Sequence, residues 1–317
     1  MLLQEIPKKE DILAAEKRIH DYVHRTPVFT SNQLNEMLGV NVYFKCENLQ
    51  KVGAFKMRGA SNAVLSLSKS QLKKGVATHS SGNHAQAVAL TAKLAKIPAY
   101  IVMPQNAPEV KVEAVKKYGA EIIFCESNLN AREETLNDVI EKTGATFIHP
   151  YDNYDVIAGQ ATCAKEMIED TDHLKAIFAP IGGGGLMAGT LLSSQYFGHK
   201  IPIIGAEPQG ADDAYRSWKA GKLIPMENPD TIADGLRTSV GERNFPIIQD
   251  YITDIVTVSD EEIIEAMRLI FNYLKLVVEP SGAVPFASMI KTAEKYKGKK
   301  VGVILCGGNV DLKKLPF

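Results

Sequence analysis

Ala176-Ile177-Phe178-Ala179-Pro180-Ile181-Gly182-Gly183-Gly184-Gly185-Leu186-Met187-Ala188-Gly189 is the stretch around which this chain is organised. Its first four residues form an apolar run that reads as a short buried strand, and Leu186 to Phe197 reads as a helix. A strand, a run of glycines and a helix make a cradle for a phosphate. Glycine lets the backbone approach an anion and aim successive N–H groups at it. The helix N-terminus adds roughly +0.5 of a charge at the same place. The plain alternative is a tight turn with no ligand. The spacing is neither GxGxxG nor the glycine-lysine pattern of a P-loop, so an ordinary dinucleotide fingerprint is not supported.

The 317 residues around this stretch are enough for about two domains. Hydrophobic residues make up 45% and charged residues 23%, which allows a full core in a soluble globular protein. A net charge of -1 gives no electrostatic reason to expect nucleic acid or an anionic membrane as partner. No apolar run approaches the roughly 18 residues of a membrane span. The start, Met1 to Glu10, lacks the basic-then-apolar order of a signal peptide. Cys46, Cys125, Cys163 and Cys306 lie far apart, which argues against a disulfide framework or a zinc cluster. A cytoplasmic enzyme is the expectation.

Short apolar runs alternate with helical segments along the chain. Strands are expected at 42–46, 76–79, 99–103, 121–125, 146–148, 176–179, 203–206, 252–256 and 300–305. Helices are expected at 11–24, from Ala54–Ala60 on to about Leu67, and at 85–94, 109–118, 130–143, 156–168, 186–197, 211–219, 261–274 and 282–295. This is an α/β pattern: parallel twisted sheets flanked by helices. No repeat or linker marks a boundary, so a second domain must be an insertion. It is placed at 75–148, with 1–74 and 149–317 forming the large domain.

Ligands of open parallel sheets bind beyond the carboxyl ends of strands. Three expected strand ends carry unusual sequences: Ser80-Ser81-Gly82-Asn83-His84, Gly182 to Gly185, and Cys306-Gly307-Gly308-Asn309. Two of these suit anions, one a phosphate and one a carboxylate. A phosphorylated ligand together with a small acid is implied.

These motifs, with Phe55-Lys56 before Arg58-Gly59-Ala60, resemble the pyridoxal-phosphate enzymes of the tryptophan-synthase-β fold. More narrowly, the chain is similar to the serine racemase and serine/threonine dehydratase group from about Glu10 to about Leu312. The resemblance implies pyridoxal 5'-phosphate held by Lys56 as a Schiff base. It implies Phe55 packed on the pyridine ring, Asn83 on the ring hydroxyl, and Gly182, Gly183, Gly184, Gly185 and Leu186 on the phosphate. Ser80, Ser81, Gly82, Asn83 and His84 face the substrate carboxylate in such relatives; a Ser-Ser helix cap is the simpler account of the same residues. His84 is expected as a hydrogen-bonding residue rather than a base. Cys306 takes the place facing the pyridine nitrogen, where many relatives have serine. A thiol is a weak partner there. Glu279 lies in a segment that relatives place near the cofactor. Arg132 matches an arginine that some relatives bring towards the substrate; otherwise it is a solvated helix residue.

Glu207, Asp213 and the carbonyl of Ala211 match the ligands with which relatives bind a divalent cation. Two carboxylates and a carbonyl suit Mg²⁺ or Ca²⁺ in a structural role. A favourable charge at a helix start is the alternative for the Asp212-Asp213 pair. The family also implies a homodimer, and mammalian members are activated by ATP.

Racemisation needs two groups, one on each face of Cα. The resemblance assigns them to Lys56 and Ser81. Many dedicated threonine dehydratases have alanine in place of Ser81. A serine racemase that also eliminates water is therefore expected, with a dehydratase for serine, threonine or 3-hydroxyaspartate as the alternative.

Overall fold

A computed structural model describes residues 2–107 and 109–317. In chain order the elements are α1 (Lys9–Ile19), β1 (Val28–Phe29), α2 (Asn32–Leu38), β2 (Asn41–Cys46), α3 (Lys56–Leu65), α4 (Lys69–Lys74), β3 (Val76–His79), α5 (Asn83–Ala95), β4 (Ala99–Pro104), α6 (Glu109–Lys117), β5 (Glu121–Cys125), α7 (Leu129–Thr143), β6 (Thr146–Phe147) and α8 (Tyr154–Asp170). They continue as β7 (Ala176–Pro180), α9 (Gly185–Phe197), β8 (Ile203–Pro208), α10 (Asp213–Ala220), α11 (Asn244–Tyr251), β9 (Asp254–Val258), α12 (Asp260–Leu269), α13 (Pro280–Lys291) and β10 (Lys300–Leu305).

The chain divides into two compact units. One holds the chain up to His24 together with Lys56–Gly159; the other holds Arg25–Phe55 and Gln160–Phe317. The first unit is wider than the expected insertion at 75–148, because α1, α3 and α4 belong to it. The reason is packing on α3. Ser61 and Thr91 hydroxyls meet at 3.1 Å between α3 and α5, and Asn62 donates to the Asp155 carbonyl at 2.7 Å. Gly159 lets α8 lie against α3, since a Cβ there would stand 2.6 Å from the Arg58 carbonyl.

Among the described residues the first unit has a sheet in the order β5-β4-β3-β6, with every pair parallel. Local signals set the helices on it. Ser68 and Gln71 form a capping box at α4; Asn128 caps α7, which Gly144 closes in the left-handed region. The second unit has a sheet in the order β1-β2-β10-β7-β8-β9. Its pairs are parallel except at one edge, where β1 runs antiparallel to β2. Two residues of strand carry too little periodicity for the sequence to have marked β1. The helices α2 and α11 were likewise unmarked, and the expected 261–274 helix ends at Leu269 and continues as a π-helical turn, Ile270–Leu274.

Apolar strand residues and one face of α12 and α13 fill the core of the second unit, with the Phe44 and Phe286 rings edge to face at 5.0 Å. Lys45 lies fully inside. Lys45 on β2 donates to Glu166 at 2.6 Å and to the Thr26 carbonyl at 2.7 Å, while the Thr26 hydroxyl donates to buried Glu47 at 2.5 Å. A buried ion must have its partner, because the unpaired charge carries the whole cost of leaving water. Glu166→Gln should therefore destabilise the protein by about 3–5 kcal/mol in urea melts, and replacing the pair together (Lys45→Met with Glu166→Leu) should cost far less.

Candidate active site

In the first unit the candidate residues follow the carboxyl ends of β3 and β6 or open a helix. Lys56 is the first residue of α3. Its amine donates to the Pro150 carbonyl at 2.7 Å and stands 5.9 Å from the centre of the Tyr151 ring. Pro150 belongs to a turn after β6 in which His149 Nδ1 accepts the N–H groups of Tyr151 and Asp152.

Ser80, next after β3, accepts the Gly82 N–H on its hydroxyl at 3.2 Å. Gly82 is the N-cap of α5 and no side chain caps it, so the simple account of the serines as helix caps does not hold. The first turn of α5 keeps its N–H groups free of helical acceptors, as every helix start must. Asn83 is its first residue. His84 is buried, with Nε2 donating to the Ile148 carbonyl at 2.9 Å, which leaves Nδ1 as a buried acceptor with no partner. Burial, and after it the Lys56 ammonium, hold the imidazole well below the usual histidine range. His84 is thus a neutral hydrogen-bonding residue. Burial also lowers His79, with the Arg132 guanidinium adding to it against Glu133. The Nε of Arg132 is buried without a hydrogen-bond partner.

In the second unit the tetraglycine run joins β7 to α9. Gly184 is the N-cap of α9 at φ 90°, and a Cβ on it would stand 2.9 Å from Cβ of Asn244. A Cβ on Gly182 would stand 3.1 Å from the Gly235 carbonyl. The Gly183 carbonyl accepts from the Gly241 N–H at 3.1 Å and from Asn244 Nδ2 at 2.7 Å. The loop's acceptor is thereby occupied within the protein, and the first-turn N–H groups of Gly185 and Leu186 have no acceptor within the helix. This side-chain-free cradle of donors at a helix N-terminus fits a phosphate group. Asn244 and Gly235 escaped notice in the sequence, being about 50 to 60 residues from the loop they support, with no local pattern to mark them.

Cys306 is buried at the end of β10, and its carbonyl accepts the Phe55 N–H at 3.0 Å. Glu279, also buried, is the N-cap of α13; its N–H donates to the Gly307 carbonyl at 3.1 Å.

Glu207 ends near the carboxyl edge of β8, fully buried. Its oxygens accept the N–H groups of Ala214 at 3.1 Å and Tyr215 at 2.8 Å. Asp213 accepts the Val240 N–H on Oδ2, while its Oδ1 is buried with no partner. Burial, then the neighbouring Asp213, pushes Glu207 well above the usual carboxylate range, and burial pushes Asp213 up to about 6. Asp212 instead pairs with Arg216 at 2.8 Å. Ala211 is buried beside them. Among the described residues no three His, Cys, Asp or Glu side chains cluster in a metal-ligating arrangement. The two desolvated carboxylates and the orphaned oxygen fit a hard cation whose further ligands are carbonyls and water.

Parallel α/β architecture, a glycine loop that fits a phosphate and a half-buried lysine at the start of a helix define a class of cofactor enzyme. The chain belongs to the family of pyridoxal-phosphate dependent enzymes, which it matches over residues 19–307. It is 50% identical to the β-hydroxyaspartate dehydratase of Paracoccus denitrificans, over 98% of this chain and 99% of the relative. It is 48% identical to the serine racemase of Arabidopsis thaliana, over 96% of this chain and 95% of the relative. The solved structure of maize serine racemase superposes with a TM-score of 0.95 at 45% identity, covering 97% of this chain and 95% of that one. Among the described residues no helix is long and apolar enough to cross a membrane.

The glycine cradle tolerates no Cβ at its N-cap. Gly184→Ala should cost about 1–3 kcal/mol from the left-handed backbone alone, read as a lowered thermal midpoint.

Proposed function

We propose that this chain is a pyridoxal-phosphate-dependent serine racemase that also eliminates water from serine to give pyruvate and ammonia. The observation that carries the reading is the glycine cradle at the start of α9, in a chain of this family whose α3 opens with Lys56. Bound there, pyridoxal 5'-phosphate would supply an electron sink that acidifies the Cα–H bond of the amino acid.

The chain's own residues do the rest. Lys56 would hold the cofactor covalently, and the backbone donors of Gly182, Gly183, Gly184, Gly185 and Leu186 would hold its phosphate. Phe55 would pack on its ring, Asn83 would bond the ring hydroxyl, and the Cys306 thiol would offer the ring nitrogen a weak partner. A thiol stabilises a ring N–H far less than a carboxylate would, which suits proton exchange and elimination. Ser80, Ser81, Gly82, Asn83 and neutral His84 present donors to the substrate carboxylate. The freed amine of Lys56 takes the Cα proton from one face, and the Ser81 hydroxyl returns one on the other. Loss of the β-hydroxyl before that return leads to elimination.

A second reading is a 3-hydroxyaspartate dehydratase without racemisation. The dehydratase relative at 50% identity favours it, as does the Arg132 guanidinium, whose buried Nε has no hydrogen-bond partner, a charge suited to a second carboxylate. A cytoplasmic homodimer, with ATP as effector, completes the proposal on the family's account alone.

Product analysis decides between the readings. The protein, incubated with L-serine, should yield both D-serine and pyruvate. Lys56→Ala should lose the visible absorbance of the linked cofactor and both products. Ser81→Ala should lose D-serine formation by about a hundredfold, the usual range for a general acid, and keep pyruvate formation. Oxaloacetate from 3-hydroxyaspartate with no D-serine from L-serine selects the dehydratase.

A divalent cation, Mg²⁺ or Ca²⁺, is proposed at Glu207, Asp213 and the Ala211 carbonyl in a structural role. At a hundred times its dissociation constant it should stabilise the fold by about 2.7 kcal/mol over the chelated protein. That difference in melts with Mg²⁺ and with EDTA should vanish in Glu207→Gln.

A further inference from the structure

The segment that delivers Phe55 and Lys56 is held in a conformation its own sequence resists. Val52 has φ 56° and ψ 12°, and Gly53 follows at φ 67°. A β-branched residue in the left-handed region is a genuine outlier, and such strain persists only where surrounding structure imposes it. Here the imposing structure is the short run after β10. The Phe55 N–H donates to the Cys306 carbonyl at 3.0 Å, Ala54 bridges Gly307, and the Gly308 N–H donates to the Gly53 carbonyl at 2.9 Å. A side chain adds a further tie: Asn309 Nδ2 donates to the Val52 carbonyl at 2.7 Å, at the strained residue itself. The fit is close, since a Cβ on Gly53 would lie 2.7 Å from Asn309 Oδ1. Behind it, Gly308 leaves room for Asn48, whose amide donates to the Val277 carbonyl at 3.1 Å.

We infer that Asn309 is a positioning residue for Lys56. Its amide pins the left-handed turn at Val52-Gly53 and so fixes the direction in which Ala54-Phe55-Lys56 leaves that turn. The run from Cys306 to Asn309 then has two tasks: its cysteine would face the cofactor ring, and its asparagine sets the backbone carrying the lysine. The inference rests on the role proposed above for Lys56. Misplacing a reacting group by about 1 Å costs on the order of a hundredfold in rate, so a tie four residues before the lysine is felt at its amine.

The test uses the full-length protein with two independent readouts. The first is amide hydrogen exchange of residues 47–57 in protein stripped of cofactor, which needs no chemistry. In Asn309→Ala, exchange there should rise by roughly tenfold, the scale of one lost hydrogen bond, with the rest of the chain unchanged. Asn309→Asp, which keeps the size but cannot donate, should behave as the alanine variant does. The second readout is the rate at which visible absorbance returns on adding pyridoxal phosphate. It should fall by about tenfold or more, with kcat falling and KM staying within about twofold. Val52→Gly in the Asn309→Ala background should recover at least half of the lost loading rate, because glycine adopts the left-handed turn unaided.

Exchange within about twofold of the unmodified protein, or faster exchange spread over the whole chain, overturns the inference. So does a slowed loading rate that Val52→Gly leaves unchanged. If Asn309→Ala does not fold, Asn309→Ser is measured in its place, with the same outcomes deciding. Absence of visible absorbance in the unmodified protein would sink the cofactor reading, and the exchange measurement would still judge the tie.

Discussion

Parallel pairing of strands is the constraint on which the rest of this structure depends. In a parallel sheet the chain must leave each strand at its carboxyl end and travel back before it can pair again. The residues just past those ends are outside the ladder, and their backbone groups need other partners. That is where the unusual sequences fall: Ser80 to Asn83 after β3, His149 to Asp152 after β6, Gly182 to Gly185 after β7, and Cys306 to Asn309 after β10. The registers of β3 on β4 and of β10 on β2 and β7 therefore place these runs on the carboxyl edge of their own sheets.

Burial without a side-chain partner recurs at the residues of interest. His84 keeps a buried nitrogen unpaired, Arg132 a buried Nε, and Asp213 a buried carboxylate oxygen. Polar atoms in such places cost stability unless water or a ligand answers them. The Lys45 and Glu166 pair is the contrast. It is as deeply buried, yet every charge in it is answered within the chain, and it holds the fold.

Much of the architecture was legible in the chain's periodicity. Most strands and the long helices were marked within a few residues, since apolar runs in a parallel sheet are continuous and the helices between them are amphipathic. Elements with no such signature escaped: the two-residue β1, the seven-residue α2, the six-residue α4 and the eight-residue α11; the π-helical turn after Leu269 reads as helix, from which local sequence does not distinguish it. The unit boundary was displaced because α3 packs on α5 through Ser61 and Thr91, small residues that carry no sign of their partner. The serine pair after β3 reads as a helix cap by composition, but the cap position itself is Gly82.

By itself the sequence determined the fold class, the glycine cradle and the family, because each is written in a local run: glycines between a strand and a helix, and four motifs in a fixed order. What only the tertiary structure decided are the long-range ties. Asn244 under Gly183 and Asn309 on the strained carbonyl of Val52 join residues that are dozens to hundreds of positions apart. No periodicity encodes such a pair, since a hydrogen bond between distant segments exists only once packing has brought its two ends within about 3 Å.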